Sequence, residues 1–406
     1  MIENFMDFSL TERSQDYLNR VKTFMEQEIQ PIEEAYFADI KANTGQCYIP
    51  PIVEELKAKA KAQGLWNLFM PIAPYGVGLS NEEYAPLAEQ MGRSFLAPEV
   101  FNCNAPDTGN MEVLIHYGSD EQKAQWLPKL LSGEIRSAFC MTEPDVASSD
   151  ATNMAATAIV DGDEVVLNGT KWWSTGIGHP QCEMIIFMGL SCPDAPRHQQ
   201  HSMVLVPKNT PGIKVERLLP VFGELHEPYG HGEVSFTNVR LPKSAIIAGA
   251  GRGFEIAQGR LGPGRIHHAM RTIGAAERAL ELLITRGLSR TAFGKPLIDL
   301  GGNRDIVANA RMAIEQARLL TMKAAWTIDT QGIKGAMSAV SQIKVVAPNI
   351  LQTIADQAIQ IHGGAGVSDD FPLTMLFAAA RMLRLADGPD EVHRALIAKL
   401  ELKKYA

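Results

Sequence analysis

The hydrophobic repeat of this chain changes period twice, which excludes any fold built from one kind of layer. Up to about residue 135 apolar residues recur at helical spacing: Leu18, Val21, Phe24, Met25 and Ile29 follow the start signal Ser9-Leu10-Thr11-Glu12. Ile52 to Ala62 reads as a second helix, and Ser80-Asn81-Glu82-Glu83 opens a third. Ser119-Asp120-Glu121-Gln122 caps another, which carries Trp126, Leu127, Leu130 and Leu131 and breaks at Ser132-Gly133. From about 136 to 248 the period is two, with turn residues between the runs. Glu164 to Thr170 predicts a strand running into an Asn168-Gly169 turn, and Met184 to Met188, Ser202 to Val206 and Glu233 to Phe236 predict further strands. Helical spacing returns after Gly253, predicting helices over Arg260–Thr291, Arg304–Thr330 and Ser338–Gln360, lengths that suit a four-helix bundle. The expectation is an α+β chain with an N-terminal helical domain (1–135), a central β domain (136–248) and a C-terminal helical bundle domain (249–406).

With 46% hydrophobic and 21% charged residues, 406 residues can bury a large core. A formal net charge of −8 argues against nucleic acid, whose binding rests on clustered positive charge, but leaves room for an anionic cofactor held by local arginines. Cys47, Cys103, Cys140, Cys182 and Cys192 lack ligand spacing, which predicts reduced thiols and no metal site. The acidic start at residues 1–7 lacks the blocks of a signal peptide, no apolar run is long enough to span a membrane, and Lys403-Lys404-Tyr405-Ala406 is not a peroxisomal address. A cytoplasmic protein is expected.

The stretch from Gln360 to Arg394 carries the densest chemistry. Gln360-Ile361-His362-Gly363-Gly364-Ala365-Gly366 is a glycine-rich turn that permits close approach or unusual φ angles. Asp387 precedes Gly388-Pro389, where a new helix would begin; its carboxylate is either an N-terminal cap, the reading that local rules favour, or a base at a cavity rim. Three further segments admit a plain and a functional reading. Cys140-Met141-Thr142-Glu143-Pro144 leads into Ser148-Ser149-Asp150, which by itself is a loop. Lys171-Trp172-Trp173-Ser174-Thr175 carries tryptophans that are more often core than cofactor contacts. Arg290-Thr291-Ala292-Phe293-Gly294-Lys295-Pro296-Leu297 pairs an arginine with an aromatic. Arg265, at the start of the long helix, reads locally as a surface residue, and the adjacent His267 and His268 as structural.

Together these segments resemble the acyl-CoA dehydrogenase flavoenzymes, from about residue 8 to 398. The resemblance implies FAD as cofactor, an acyl-CoA substrate, an electron-transferring flavoprotein as acceptor, and a homo-oligomer, either a dimer or a dimer of dimers. It makes Asp387 the catalytic base and Ser149, Arg265 and Gly388 substrate contacts. Cys140, Met141, Thr142, Ser148, Ser149, Trp173, Ser174 and Thr175 become FAD contacts, with Thr175 at the flavin N5 edge. Arg290, Phe293, Gln360, Gly363, Gly364, Pro389 and Glu391 are the remaining FAD contacts, with Arg290 on the pyrophosphate of a neighbouring subunit. The chain departs from the family pattern at Asp145-Val146-Ala147, where a glycine-rich run is usual, and at Gly301, Met375 and Ala379. Its wording around Met141–Asp150 and Asp387–Asp390 resembles the branch that in animals is fused to a kinase-like domain, and suggests medium to long, branched or 4-substituted acyl chains. The implied reaction is α,β-dehydrogenation to a trans-2-enoyl-CoA, the α-proton going to Asp387 and the β-hydrogen to the flavin. A free carboxylate, with a pKa of about 4, is too weak for this, so the site must polarise the thioester and desolvate the base. Aspartate where glutamate is usual also fits a nitroalkane-oxidase-like enzyme, and the departures fit a flavin-binding scaffold with a degraded site.

Overall fold

A computed structural model describes residues 9–405; residues 1–7 of the acidic start and the terminal Ala406 lie outside the described residues. Helices α1 (Glu12–Phe24), α2 (Glu33–Ala42), α3 (Pro51–Ala62), α4 (Asn81–Met91), α5 (Ala97–Val100), α6 (Asp107–Tyr117) and α7 (Asp120–Ser132) come first. Their starts follow local chemistry. Thr11 Oγ1 accepts from Ser14 N at 3.1 Å, and Ser80/Glu83 and Ser119/Gln122 form reciprocal capping boxes. Gly133, at φ +73°, stops α7 in the left-handed region.

Seven strands follow: β1 (Arg136–Cys140), β2 (Thr157–Asp161), β3 (Glu164–Thr175), β4 (Cys182–Leu190), β5 (His201–Pro207), β6 (Ile213–Leu218) and β7 (His231–Pro242). They form one sheet in the order β1-β4-β2-β3-β7-β6, with β5 paired to β4. Ala138, Val165, Leu167, Ile185, Phe187, Val204 and Val234 are among the residues of its core. The expected turn at Asn168-Gly169 is not one. Strand β3 runs through it, and the chain instead reverses between Asp161 and Glu164. Asn168 and Gly169 form an irregularity against β7, where Asn168 Oδ1 accepts from Asn238 N at 2.7 Å. A second shift on the same strand falls between Lys171 and Ser174.

Helix α8 (Gly253–Ser289) begins seven residues before the position expected from periodicity. A short hairpin, β8 (Thr291–Ala292) and β9 (Lys295–Pro296), precedes α9 (Asn303–His362). The two helices expected within this last span are halves of one run broken at Gly332, whose φ of +71° and ψ of 176° are not helical. Helices α10 (Leu373–Leu383) and α11 (Asp390–Leu402) complete the chain.

The residues gather into two compact units. A helical unit comprises Met1–Pro31, Gln63–Pro98 and Gly262–Ala406; a β unit comprises Ile32–Ala62 and Glu99–Leu261. Helices from the first 135 residues are thus divided: α1 and α4 belong to the helical unit, α2, α3, α6 and α7 to the β unit. The β unit contains a buried charge network. Arg136 pairs with Glu99, donates to Asn102 Oδ1 at 2.6 Å and lies 3.5 Å from Asp107; Lys57 meets Glu99 at 2.6 Å and Glu54 at 2.9 Å. Burial opposes the Glu99 charge, but Arg136 and Lys57 overcome it and hold the carboxyl well below the ordinary range.

Candidate active site

In the helical unit, the turn between α10 and α11 is closed by its own ends. Arg384 Nε donates to Asp390 Oδ2 at 2.8 Å, Asp390 N donates to the Arg384 carbonyl at 3.2 Å, and Asn349 Nδ2 donates to the same Asp390 oxygen at 3.1 Å. Helix α11 therefore begins at Asp390, and its N-cap residue is Pro389, with no side-chain cap. This corrects the helix-cap reading of Asp387. The Asp387 backbone instead adopts φ +55° and Gly388 φ +99°. A Cβ on Gly388 would sit 2.9 Å from His393 Nε2, so the loop admits only glycine there without a shift.

The loop is gripped by its backbone. Arg265 Nη2 donates to the Asp387 carbonyl at 3.0 Å, and His393 Nε2 lies 3.2 Å from the same oxygen, with His393 Nδ1 3.3 Å from Ser341 Oγ. Burial, reinforced by the Arg265 charge, pushes the His393 imidazole down to about 4, so it is neutral at pH 7 and donates as its Nε2–H tautomer. The Asp387 side chain is 26% exposed, and its Oδ2 lies 3.6 Å from His268 Nε2. Arg265 and His268 are three residues apart on α8, hence on one helix face. Lys344 from α9 is buried, its ammonium donates to the Leu383 carbonyl, and burial, partly offset by the Asp387 charge, brings it down to about 8. His268, Thr272, Ile343, Lys344, Pro348 and Leu383 line a crevice too narrow to admit a water molecule. The helical unit therefore presents a carboxylate whose loop is fixed through main-chain atoms, with the basic Arg265 and Lys344 and the acidic Asp390 around it.

The β unit presents a different surface. Buried Lys171 donates to Glu143 Oε1 at 2.7 Å and to the Met141 carbonyl at 2.9 Å, while Glu143 accepts from Ala155 N and Ala156 N at 2.8 and 3.0 Å. Trp172 N donates to the Thr142 carbonyl at 2.9 Å. These bonds fix Met141 and Thr142 from behind and leave the Thr142 hydroxyl without a partner among the described residues. The shift in β3 turns Trp173 out at φ +52°, and 39% of it is exposed. For a bulky aromatic residue that backbone is a strained exception, of the kind that gathers at functional sites. Thr175 Oγ1 lies 2.8 Å from His231 Nδ1. Cys140 is wholly buried in the sheet core, where burial pushes its thiol up to about 11. Ser174 is also buried; Ser148 Oγ accepts from Glu143 N at 2.9 Å within the loop, and Ser149 is exposed.

Elsewhere in the helical unit, Phe293-Gly294 forms the tip of the β8–β9 hairpin with φ +50° and +75°. A two-residue turn with both φ positive is ordinarily made by Asn-Gly, yet here a phenylalanine occupies the first position and is 96% exposed. Arg290 at the hairpin base is exposed and has no ion pair among the described residues. Gln360, Gly363, Gly364 and Glu391 are exposed, Pro389 is half-buried, and a Cβ on Gly363 or Gly364 would meet nothing. Within the helical unit the exposed Phe293 ring, the unpaired Arg290 guanidinium and the open glycine turn, and within the β unit the exposed Trp173 ring and the unpaired Thr142 hydroxyl, are each groups of the kind a planar or anionic part of a flavin dinucleotide would meet.

Sequence reasoning treated His268 as structural and did not single out Lys344, His393, His226 or His231. The i, i+3 spacing of Arg265 and His268 was a usable signal for the first. His267 keeps its structural role: it is buried, with its ring edge-on to Tyr84 and Phe69 at 4.9 and 6.2 Å. No helix among the described residues is long and apolar enough to cross a membrane.

Comparison with known proteins bears on the whole length. The acyl-CoA dehydrogenase N-terminal, middle and C-terminal domain families match residues 11–134, 138–239 and 251–402. FadE2 of Mycobacterium tuberculosis, assigned as an acyl-CoA dehydrogenase, is 51% identical over 402 residues, covering 98% of both chains. Acyl-CoA dehydrogenase family member 11 of Mus musculus is 52% identical across 98% of this chain, which spans only 52% of that longer protein. A solved structure assigned as an acyl-CoA dehydrogenase of Mycobacterium abscessus is 64% identical, with a TM-score of 0.96 over 98% of this chain and 100% of that one. The chain belongs to the acyl-CoA dehydrogenase family.

Proposed function

We propose that the protein dehydrogenates an acyl-CoA thioester to a trans-2-enoyl-CoA, with Asp387 as the base that removes the α-proton. The observation that carries this reading is the Asp387 loop. Its carboxylate is released from helix capping, while its main chain is held by Arg265 and His393. A base needs such placement, because proton transfer fails when the acceptor drifts. His268 Nδ1 accepts from Arg271 Nη2 at 3.2 Å, which leaves the proton of the neutral ring on Nε2, 3.6 Å from Asp387 Oδ2 and beyond hydrogen-bond distance. Arg265 joins the substrate pocket from the same helix face, with Gly388 and Ser149 as further substrate contacts.

FAD is the proposed cofactor, supported by the family and by the exposed aromatic and unpaired polar groups described above. Met141, Thr142, Trp173 and Thr175 would hold its ring, with Cys140, Ser148, Ser149 and Ser174 in the same segments. Arg290, Phe293, Gln360, Gly363, Gly364, Pro389 and Glu391 would hold the rest, Arg290 on the pyrophosphate, in an assembly of at least two chains. When bound, the flavin supplies the acceptor for the β-hydrogen and its electron pair. The Trp173 indole would exclude water from that transfer. Electrons would then pass to an electron-transferring flavoprotein.

Anaerobic titration of the purified protein with acyl-CoAs of increasing chain length tests this. The visible flavin band should bleach with one class, and in Asp387→Asn the band should remain while bleaching slows by roughly a hundred- to ten-thousand-fold. Bleaching of the variant near the wild-type rate would sink the assignment. Aspartate at the base position also favours a nitroalkane substrate, and rapid reoxidation by oxygen after nitroalkane reduction would select that reading.

A further inference from the structure

Behind Thr175 the β unit holds two imidazoles in series. Thr175 Oγ1 lies 2.8 Å from His231 Nδ1, and His231 Nε2 lies 3.0 Å from His226 Nδ1. His231 is 6% exposed and packs under the Trp173 ring at 5.8 Å. His226 is half-buried, and its other nitrogen has no partner among the described residues. The series thus runs from a hydroxyl, through a buried ring, to a ring nearer solvent.

The placement of His226 is built. The residues that follow it are anchored: Glu227 accepts from Gly45 N and Cys47 N, both at 2.8 Å, Tyr229 Oη donates to Glu99 at 2.7 Å, and Gly230 N donates back to the His226 carbonyl at 3.0 Å. Just ahead of these anchors His226 takes φ +53°, a conformation that costs an L-residue about 1–2 kcal/mol and persists only where the surroundings over-determine it.

Burial pushes both rings below the ordinary imidazole range, His231 to about 4 with His226 adding to the effect. Each therefore carries one N–H and one lone pair at neutral pH. Two arrangements satisfy the series. In the first, His226 Nδ1–H donates to His231 Nε2, His231 Nδ1–H donates to Thr175, and the hydroxyl hydrogen points outward. In the second, Thr175 donates to His231 Nδ1, His231 Nε2–H donates to His226 Nδ1, and Thr175 offers a lone pair outward. Going from the second to the first takes one proton in at Thr175 and releases one at His226 Nε2, with neither ring left cationic.

We propose that Thr175, His231 and His226 form a proton exit: Thr175 receives the proton that a reduced flavin sheds when its two electrons leave, and the histidines pass one to solvent by exchanging tautomers. This rests on the flavin placement proposed above. The electrons go to an external electron acceptor, and the route is separate from Asp387, which holds the proton taken from substrate.

The test uses flavin-loaded protein reduced with dithionite and reoxidised with ferrocenium, so no acyl-CoA is involved. His231→Asn and His226→Asn keep an amide donor, and asparagine tolerates the left-handed backbone. Reoxidation should slow roughly tenfold or more in each. In 15N-histidine spectra of the wild-type protein, His231 should be protonated at Nδ1 with oxidised flavin and at Nε2 with reduced flavin. The same tautomer in both redox states, or reoxidation of both variants within about twofold of wild type, would overturn the proposal. Wild-type protein without flavin would overturn this and the proposed function together. Flavin that dithionite reduces but no acyl-CoA bleaches would overturn the proposed substrate alone and leave the exit standing on its two readouts.

Discussion

Lys57 in the β unit and Lys344 in the helical unit are almost equally inaccessible, 1% and 2% exposed, yet they live in opposite electrostatic company. Lys57 meets two carboxylates, within a network that also pairs Arg136 with Glu99 and ties α3 and α5 to the first strand of the sheet. Lys344 meets a backbone carbonyl, with Asp387 and Asp390 offsetting only part of the burial penalty. A buried ion pair is weak support for stability but costly to break, whereas a buried charge without a close partner is costly as it stands. The first cluster fixes a scaffold. The second keeps positive potential beside a carboxylate, which is where a reaction that creates negative charge would use it.

Breaking the first cluster should have the largest effect. Arg136→Met leaves Glu99 and Asp107 buried without their shared partner, and urea unfolding should show a loss of about 3–5 kcal/mol. The reverse sign is expected for Lys344→Met, a gain on the order of 1–3 kcal/mol at pH 7. The Lys344 ammonium is lowered in the fold to about 8, below its unfolded value. The wild-type protein should therefore gain stability from this group as pH rises from about 8 towards the ordinary lysine value of about 10.4, and the variant should lack that rise. Equal slopes in the two proteins would mean that Lys344 is compensated after all. The smallest effect sharpens the contrast between strain and function. Phe293→Asn keeps the turn but suits positive φ better, so it should raise stability by about 0.5–1 kcal/mol while the protein retains less flavin through gel filtration.

What could be read from the chain in advance follows from the range of the forces. Capping boxes at Ser80 and Ser119 and the stop at Gly133 are decided within four residues, and the sequence displays them openly. The Asn168-Gly169 pair was legible as a place of unusual backbone but not as a bulge, because the deciding partner, Asn238, is 70 residues away. Asp387 was ambiguous for the same reason. Whether its carboxylate caps α11 depends on Arg384 and Asn349 having already claimed Asp390, and Asn349 comes from another helix. Histidines 226 and 231 lie about fifty residues from Thr175, and no spacing rule joins a strand bulge to a strained loop. The family resemblance reached the site residues through local wording; the groups behind them came only from the fold.

The grip on position 387 is indifferent to its side chain. Arg265 and His393 hold a carbonyl that every residue carries, and Arg384 and Asp390 close the loop from outside it. A longer acid at this position would keep those main-chain bonds but would have to carry the left-handed φ of +55° without the tolerance that aspartate brings to it. The reach of the base and the backbone of its socket are therefore linked traits, joined by one dihedral angle rather than by any side-chain contact.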